Sequence, residues 1–295
     1  MPADAQSRKD TASAWFEKLR NTICAAFEKL EDEQVTGPHA DRPAGRFELR
    51  ETTRGTDGDG GGGLMSVMRG GRLFEKVGVN ISTVHGTLSP MMIKAMAARK
   101  NIPGLEENPV FWASGVSLVA HMNSPKTPTV HMNTRMFWTP NATWFGGGAD
   151  LTPMVEVPED TAFFHDVLRK ACDRHDPAYY PKFKDWADEY FIIKHWNEPR
   201  GVGGIFYDDL DTGNWDADFA FTQDVGRAFL DAFVPITTRR RDEPWTDADR
   251  EVQLIKRGRY VEFNLVYDRG THFGLQSGHD PSAVLMSMPP VAKWP

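Results

Sequence analysis

Cysteine is nearly missing from this sequence: 295 residues contain only two, Cys24 and Cys172. Two thiols cannot build a disulfide framework or a four-thiolate zinc site, and they fit a reducing, cytoplasmic compartment. Long apolar runs are missing as well. The best candidate, residues 110–122, is interrupted by Ser114, Gly115, Ser117 and His121, short of the roughly 18 apolar residues a membrane span needs. Basic excess is absent too. A formal net charge of −7 argues against a general nucleic-acid binder, which needs a basic face to neutralise phosphates. Asp4, Asp10 and Glu17, with no apolar segment beside them, argue against a secretory or organellar leader. No P-loop, no Gly-x-Ser-x-Gly elbow and no His-Glu-x-x-His occurs. Gly58-x-Gly60-x-x-Gly63 meets the dinucleotide pattern in letters only, because it follows a charged loop and leads into a strand.

What is present is a globular balance, 40% hydrophobic and 25% charged, with 18 Phe and nine Trp for a large core. Phe16, Leu19, Ile23, Phe27 and Leu30 recur at steps of three and four, which predicts an amphipathic helix over 10–31. Residues 36–63 read as a flexible, glycine-rich loop. Strands are expected at 64–69, 81–85, 110–121, 129–138 and 143–150, then at 204–208 and 259–268. Helices are expected at about 160–174, 182–197, 217–233 and 246–257. Strands grouped ahead of most helices favour an α+β fold over a βαβ succession. With no repeat and no linker, residues 1–295 read as a single domain.

Four stretches carry groups suited to chemistry. In 128–138, strand alternation sends Val130, Met132, Met136 and Trp138 one way and His131, Asn133 and Arg135 the other. At about 3.3 Å per residue, the second set is a row of donors roughly 7 Å apart, suited to an extended anionic ligand; a solvated outer face is the plain alternative. In 259–269, Tyr260, Glu262, Asn264 and Asp268 share a predicted strand face and Arg269 follows, either as a structural ion pair or as half of an acid/base site. Three glycines, Gly146 to Gly148, precede Asp150 and permit close backbone approach. Arg200 stands at a glycine-flanked bend as an anion contact, ahead of Asp208 and Asp209, whose adjacency on a strand argues against a shared role. Cys24 lies on the first helix as packing. The nine His show no short ligand spacing, so a metal site would have to be assembled by the fold.

These stretches resemble, in order, oxygen-dependent coproporphyrinogen III oxidases. The match rests on Phe74 to Gly86, on Pro128-Thr-Val-His-Met-Asn-Thr-Arg135, and on Trp144-Phe-Gly-Gly-Gly-Ala-Asp-Leu-Thr-Pro153. It continues through 184–209, with His195-Trp-Asn-Glu-Pro-Arg200-Gly-Val-Gly-Gly at its centre, and through Gly258 to Thr271. It covers about residues 13–294. The resemblance implies a large antiparallel sheet flanked by helices on both faces, and a homodimer, for which 259–269 and 284–288 are candidate contact segments. It implies haem biosynthesis: two propionates of coproporphyrinogen III become vinyl groups with O₂ as oxidant and no organic cofactor. By resemblance His131 is the proton donor, and Asp150, Arg135 and Asp268 are catalytic. Ser117, Asn133, Thr134 and Arg135 match the substrate-binding positions; Arg200 and Arg269 join Arg135 as basic candidates for the substrate carboxylates, and Gly278 and His279 stand where the family has a substrate-contacting segment. In some bacterial members a divalent metal is assigned to positions matching His121, His131, His165 and His195. Two departures stand out: Trp196, where many members have Arg, and Gly278-His-Asp280, where they often have Gly-Gly-Arg. A tetrapyrrole carrier without turnover and a histidine-metal hydrolase are the competing classes. The expected partner is the small-molecule substrate, with no nucleic acid and no stable membrane insertion.

Overall fold

The computed structural model describes residues 3–55, 60–276 and 278–295. The chain opens with helix α1 (Ala3–Glu33) and strands β1 (Glu48–Thr53), β2 (Gly60–Arg69) and β3 (Phe74–Thr87). Helix α2 (Pro90–Ala97) follows, then β4 (Val110–Met122), β5 (Thr129–Thr139) and β6 (Ala142–Thr152). Helices α3 (Pro158–Asp173) and α4 (Tyr179–Tyr190), the short strands β7 (Ile192–Ile193) and β8 (Glu198–Pro199), and β9 (Gly204–Leu210) come next. The chain closes with α5 (Trp215–Arg240), α6 (Asp247–Val266), α7 (Arg269–Gln276), α8 (Pro281–Val284) and a 3₁₀ turn, Leu285–Ser287. Seven strands form one sheet in the order β1-β2-β3-β4-β5-β6-β9, every neighbour antiparallel. The architecture is α+β.

Strand alternation decides what each face of the sheet meets. Val130, Met132, Met136 and Trp138 turn towards the helical layer and are buried, together with Val116, Leu118 and Ala120 of β4. The α1 stripe Phe16, Leu19, Ile23, Phe27 and Leu30 packs against them, each residue at most 2% exposed, and α5 adds Phe221, Phe229 and Phe233. Glu31 ends that stripe as a fully buried carboxylate, accepting backbone N–H bonds from Gly45, Arg72, Leu73 and Phe74. Cys24 and Cys172 are free and buried, and burial pushes both thiols up to about 12, so they pack and do not react. The opposite face is covered more loosely by α6, α7, α8 and the 3₁₀ turn. These are held down by Lys76 donating to the Met288 carbonyl at 2.7 Å, Asn80 to Ala283 at 2.9 Å and His121 to Ser287 at 2.8 Å.

Three sequence expectations fail. Residues 259–268 are not a strand; they lie mostly in α6. Tyr260, Val261, Phe263 and Val266 resemble a strand in composition, yet the buried positions Gln253, Arg257, Tyr260 and Asn264 step by four, three and four, and their polarity hides the helical stripe. The helix expected over 182–197 ends at Tyr190, because Ile192 and Ile193 pair with Pro199 and Glu198 around Asn197, which takes φ +52°. Residues 36–63 are not a loop throughout: Glu48–Thr53 pairs with Gly62–Val67, so the glycine run is strand. Gly60–Gly63 leads into no helix, as its rejection as a dinucleotide loop requires; Gly58 lies outside the described residues. Within 284–288, Met286 packs with Met65 and Val67 and is 5% exposed, while its neighbours are half-buried.

Candidate active site

The inner face of β4, β5 and β6 forms the floor of a cavity of about 440 Å³, within the size range of small-molecule sites. The ladder register assembles it. His131 lies opposite Asp150, Asn133 lies between Ser117 and Gly148, and Arg135 lies between Gly115 and Gly146. The row expected from alternation is therefore real, and it faces a cavity.

The row is wired. Arg135 Nη1 donates to Asn133 Oδ1 at 2.5 Å, and Asn133 Nδ2 donates to His131 Nε2 at 3.2 Å. His131 Nδ1 meets Asp150 Oδ1 at 2.7 Å. Asp150 Oδ2 accepts from Arg200 Nη2 at 2.7 Å, and Arg200 Nη1 donates to Asn264 Oδ1 at 2.9 Å. Burial opposes ionisation of Asp150, but the Arg200 charge and the His131 N–H outweigh it and hold the carboxyl below its usual range. Arg200 is buried between the rings of Phe191, Tyr260 and Phe263, 4.3 to 4.7 Å from their centroids. Asp150 is 2% exposed and, unlike Asp268, is not among the residues lining the cavity, so it stands behind His131 and acts through it.

Asp268 is one of four carboxylates on the cavity wall, with Asp208, Asp209 and Asp280. Burial works against its charge, while the Thr271 backbone N–H and the Tyr190 and Thr271 hydroxyls hold it in the ionised range. Tyr190 is in turn pushed up to about 12 by burial and by Asp268. Sequence reading placed Asp268 here for the wrong local reason. Tyr260 and Asn264 are one helical turn apart in α6, which ends at Val266, and Asp268 lies just beyond it, accepting from the Thr271 N–H at the start of α7, so all three line the cavity. Glu262 does not; it swings outward to accept from His195, Trp196 and Trp294.

Other expected residues separate. Ser117, Asn133, Arg200, Arg269 and His279 line the cavity, and Gly278 makes the turn before His279 at φ +76°. Thr134 is corrected: alternation puts its side chain with Met132 and Met136 on the helical side, fully buried, so only its backbone lies near the cavity. The four histidines proposed for a metal serve different partners. His121 donates to the Ser287 carbonyl, His165 meets Tyr180 and Val202, His195 meets Tyr267 and Glu262, and His131 meets Asp150. Among the described residues no three His, Cys, Asp or Glu side chains are gathered as a metal site, so the donor set does not fit such an ion. Trp196 lies on the outside, its ring 3.5 Å from the Arg259 guanidinium. Asp280 pairs with Arg50 at 2.6 Å and caps α8, and that pair holds its carboxyl down at about 2.

Sequence reading missed Tyr190 and the surroundings of Asp208. It set Asp208 and Asp209 on opposite faces, yet Arg99 Nη2 reaches both, at 2.5 and 2.8 Å. The cause is a register shift between β6 and β9 with Asp209 at φ +58°. Arg99 itself carries no signal in the sequence, because it sits in the connection between β3 and β4.

Comparison with known proteins agrees with this geometry. Residues 11–295 match the family model described as coproporphyrinogen III oxidase. The chain is 52% identical over 289 residues to an oxygen-dependent coproporphyrinogen-III oxidase of Rickettsia bellii (strain RML369-C), covering 98% of this chain and 99% of that protein. It is 50% identical to the proteins of the same name from Rickettsia peacockii (strain Rustic) and Rickettsia akari (strain Hartford), covering 97% of this chain and 98% of each. A match that spans the strands holding His131, Asp150 and Arg200 as well as the helices behind them makes this chain a member of the coproporphyrinogen III oxidase family.

Proposed function

We propose that the cavity binds coproporphyrinogen III and that the chain catalyses oxidative decarboxylation of two of its propionates to vinyl groups, with O₂ as oxidant, giving protoporphyrinogen IX. The observation that carries this reading is the one-sided row His131–Asn133–Arg135, facing a cavity whose other walls present Arg99, Arg269 and the ionised Asp268. A substrate with four carboxylates and four pyrrole N–H groups needs cations around an anion, and a chain of net charge −7 concentrates them here. The names of its relatives support the same reading.

For each propionate, a C–H bond at the carbon attached to the pyrrole breaks, as does the bond to the carboxyl carbon. A double bond forms between the two methylene carbons, and CO₂ leaves. The two electrons released reduce one O₂ to hydrogen peroxide, which takes up the proton lost from carbon and one more. Asp268 accepts pyrrole N–H bonds and makes the adjacent carbon electron-rich towards O₂. Arg135, Arg200 and Arg269, with Ser117, Asn133 and His279, orient the ring and its carboxylates, Arg200 from behind through Asp150 and Asn264. His131 handles the further proton at Nε2: Asp150 occupies Nδ1, and Nε2, which accepts from Asn133 Nδ2 in the resting site, takes up and passes on a proton once that long bond is given up. Positioning and fixed charge carry the catalysis. No step is routed through a metal, since the histidines do not converge.

The reading extends to one domain over 1–295, a homodimer and a cytoplasmic location. The single seven-stranded sheet and the two unpaired, buried cysteines support the first and the last, and no helix among the described residues is long and apolar enough to cross a membrane. The test is turnover of coproporphyrinogen III by metal-stripped protein in air and under strict anaerobiosis, read as protoporphyrin fluorescence after oxidation. Product in air and none without oxygen is expected. Tight tetrapyrrole binding with no product in air, with or without an added divalent cation, would leave a carrier instead.

A further inference from the structure

We infer that Arg99 receives one of the substrate's carboxylates, and that Asp208 is the built-in anion that holds the receiving site together. The inference rests on the function proposed above and adds a specificity-determining residue to it.

Three guanidiniums converge on Asp208. Arg99 Nη2 is 2.5 Å from Oδ2, Arg135 Nη2 is 3.0 Å from Oδ1, and Arg269 Nη2 is 3.9 Å from Oδ2. They come from three separate places: the connection after α2, strand β5 and the first residue of α7. Without a central anion, three like charges this close would repel one another and splay. Asp208 is well placed to prevent it. Its side chain is 7% exposed, and although burial opposes its charge, Arg135, Arg99 and Arg269 keep it ionised.

The exposures show the direction in which the cluster is open. The three arginine side chains keep 37%, 35% and 41% of their surface exposed, against 7% for the carboxylate beneath them. Each guanidinium has five N–H donors, and Asp208 and Asp209 together supply four acceptor oxygens to three guanidiniums. Donors therefore remain over, and the charge stays one positive unit in excess. Arg269 is the least committed. It lies over the rings of Tyr190 and Phe206, 5.0 and 5.6 Å from their centroids, and lines the cavity. A preformed fork of this kind suits a planar carboxylate. The other charged groups at this wall are Lys100, which pairs with Asp211 at 3.4 Å, and Asp268, which is taken up by Tyr190 and Thr271.

Arg99 could instead be a strut that ties the α2 wall to β9. The two roles predict opposite results for its second partner. Asp209 competes for the same N–H groups, so Asp209→Asn frees Arg99 for substrate if Arg99 is a receiver, but loosens the wall if it is a strut. The experiment measures kcat and KM for coproporphyrinogen III, and Kd for the stable fluorescent coproporphyrin III, in wild type, Arg99→Gln, Arg99→Lys and Asp209→Asn. A receiver predicts that Arg99→Gln raises KM and Kd by about tenfold or more with kcat within about threefold, and that Arg99→Lys restores part of the loss. It also predicts KM and Kd unchanged or lowered in Asp209→Asn. Unchanged KM and Kd in Arg99→Gln, or an equal rise in Arg99→Gln and Asp209→Asn, would overturn the inference. Turnover by a wild type whose Kd ignores Arg99 sinks this inference alone; Arg99-dependent binding without turnover sinks only the proposed activity.

Discussion

Asp150 illustrates how much one residue can decide without touching a ligand. Its two oxygens hold the orientation of His131 and the charge of Arg200, so removing the charge has two consequences. In Asp150→Asn, the amide cannot both accept from His131 Nδ1 and balance a guanidinium buried among three aromatic rings. The expected result is a fall in kcat of about a hundredfold or more, with a loss of stability of about 3–5 kcal/mol from the uncompensated buried charge. Single-turnover kinetics and urea unfolding read the two effects separately. A variant that kept full kcat would show that His131 needs no fixed partner. At this scale the residues of 131–150 were legible in the sequence, because period-two alternation is local. Arg99 was not, because nothing near it in the chain marks the side it faces.

At the scale of the element, β6 explains its own glycines. They were read as permitting close backbone approach within a strand expected over 143–150, and they are the interior of that strand. A Cβ at Gly146 would lie 2.8 Å from both Arg135 Nη2 and Asp208 Oδ1, so this glycine makes room for the pair that orients the arginine cluster. Gly146→Ala is therefore expected to leave the fold and the far-UV spectrum intact while raising KM by about tenfold, since the methyl displaces Arg135 from Asp208. An unchanged KM would mean that the pair can shift at no functional cost. The same scale holds the largest misreading. The segment 259–268 alternates like a strand in composition, but Arg257, Tyr260 and Asn264 follow a helical step and are buried. A polar buried stripe is invisible to a search for apolar periodicity. Gly258 belongs to the same element for a tertiary reason: its bare Cα lets the Lys293 carbonyl approach to 2.7 Å of where a Cβ would stand.

Across the whole molecule, the cavity exists because the C-terminal segment returns over the sheet, and His121 is one of the groups that pin it. Burial, and then the charge of Arg257, push the His121 imidazole down to about 3, whereas its Nε2 is bonded to the Ser287 carbonyl. The unfolded chain therefore binds a proton more readily than the fold does. The stability contributed by neutral His121 is complete above about pH 6.5 and is lost as pH falls towards 3, at no more than about 1.4 kcal/mol per pH unit. His165 and His279, also lowered by burial, act in the same direction. Urea midpoints measured between pH 7 and 4 should decline below 6.5, and His121→Gln should flatten most of that decline. A variant curve parallel to the wild type's across this window would remove His121 from the account.

The sequence by itself determined what is local in physical origin. The α1 stripe and the two-sided alternation of β5 follow from side-chain periodicity, which needs no knowledge of distant contacts. The family was legible for a related reason, since the groups that do the chemistry sit in short, ordered stretches of chain. The tertiary structure alone decided which charges meet: that Asp150 lies behind His131 while Asp268 faces the cavity, that the histidines go to separate partners, and that Arg99 reaches Asp208 across 109 positions of sequence. Those outcomes depend on ladder register, on the shift between β6 and β9, and on the return of the C-terminal helices. Each is a contact between segments far apart in the chain, where a side chain's surroundings are set by packing and not by its neighbours in sequence.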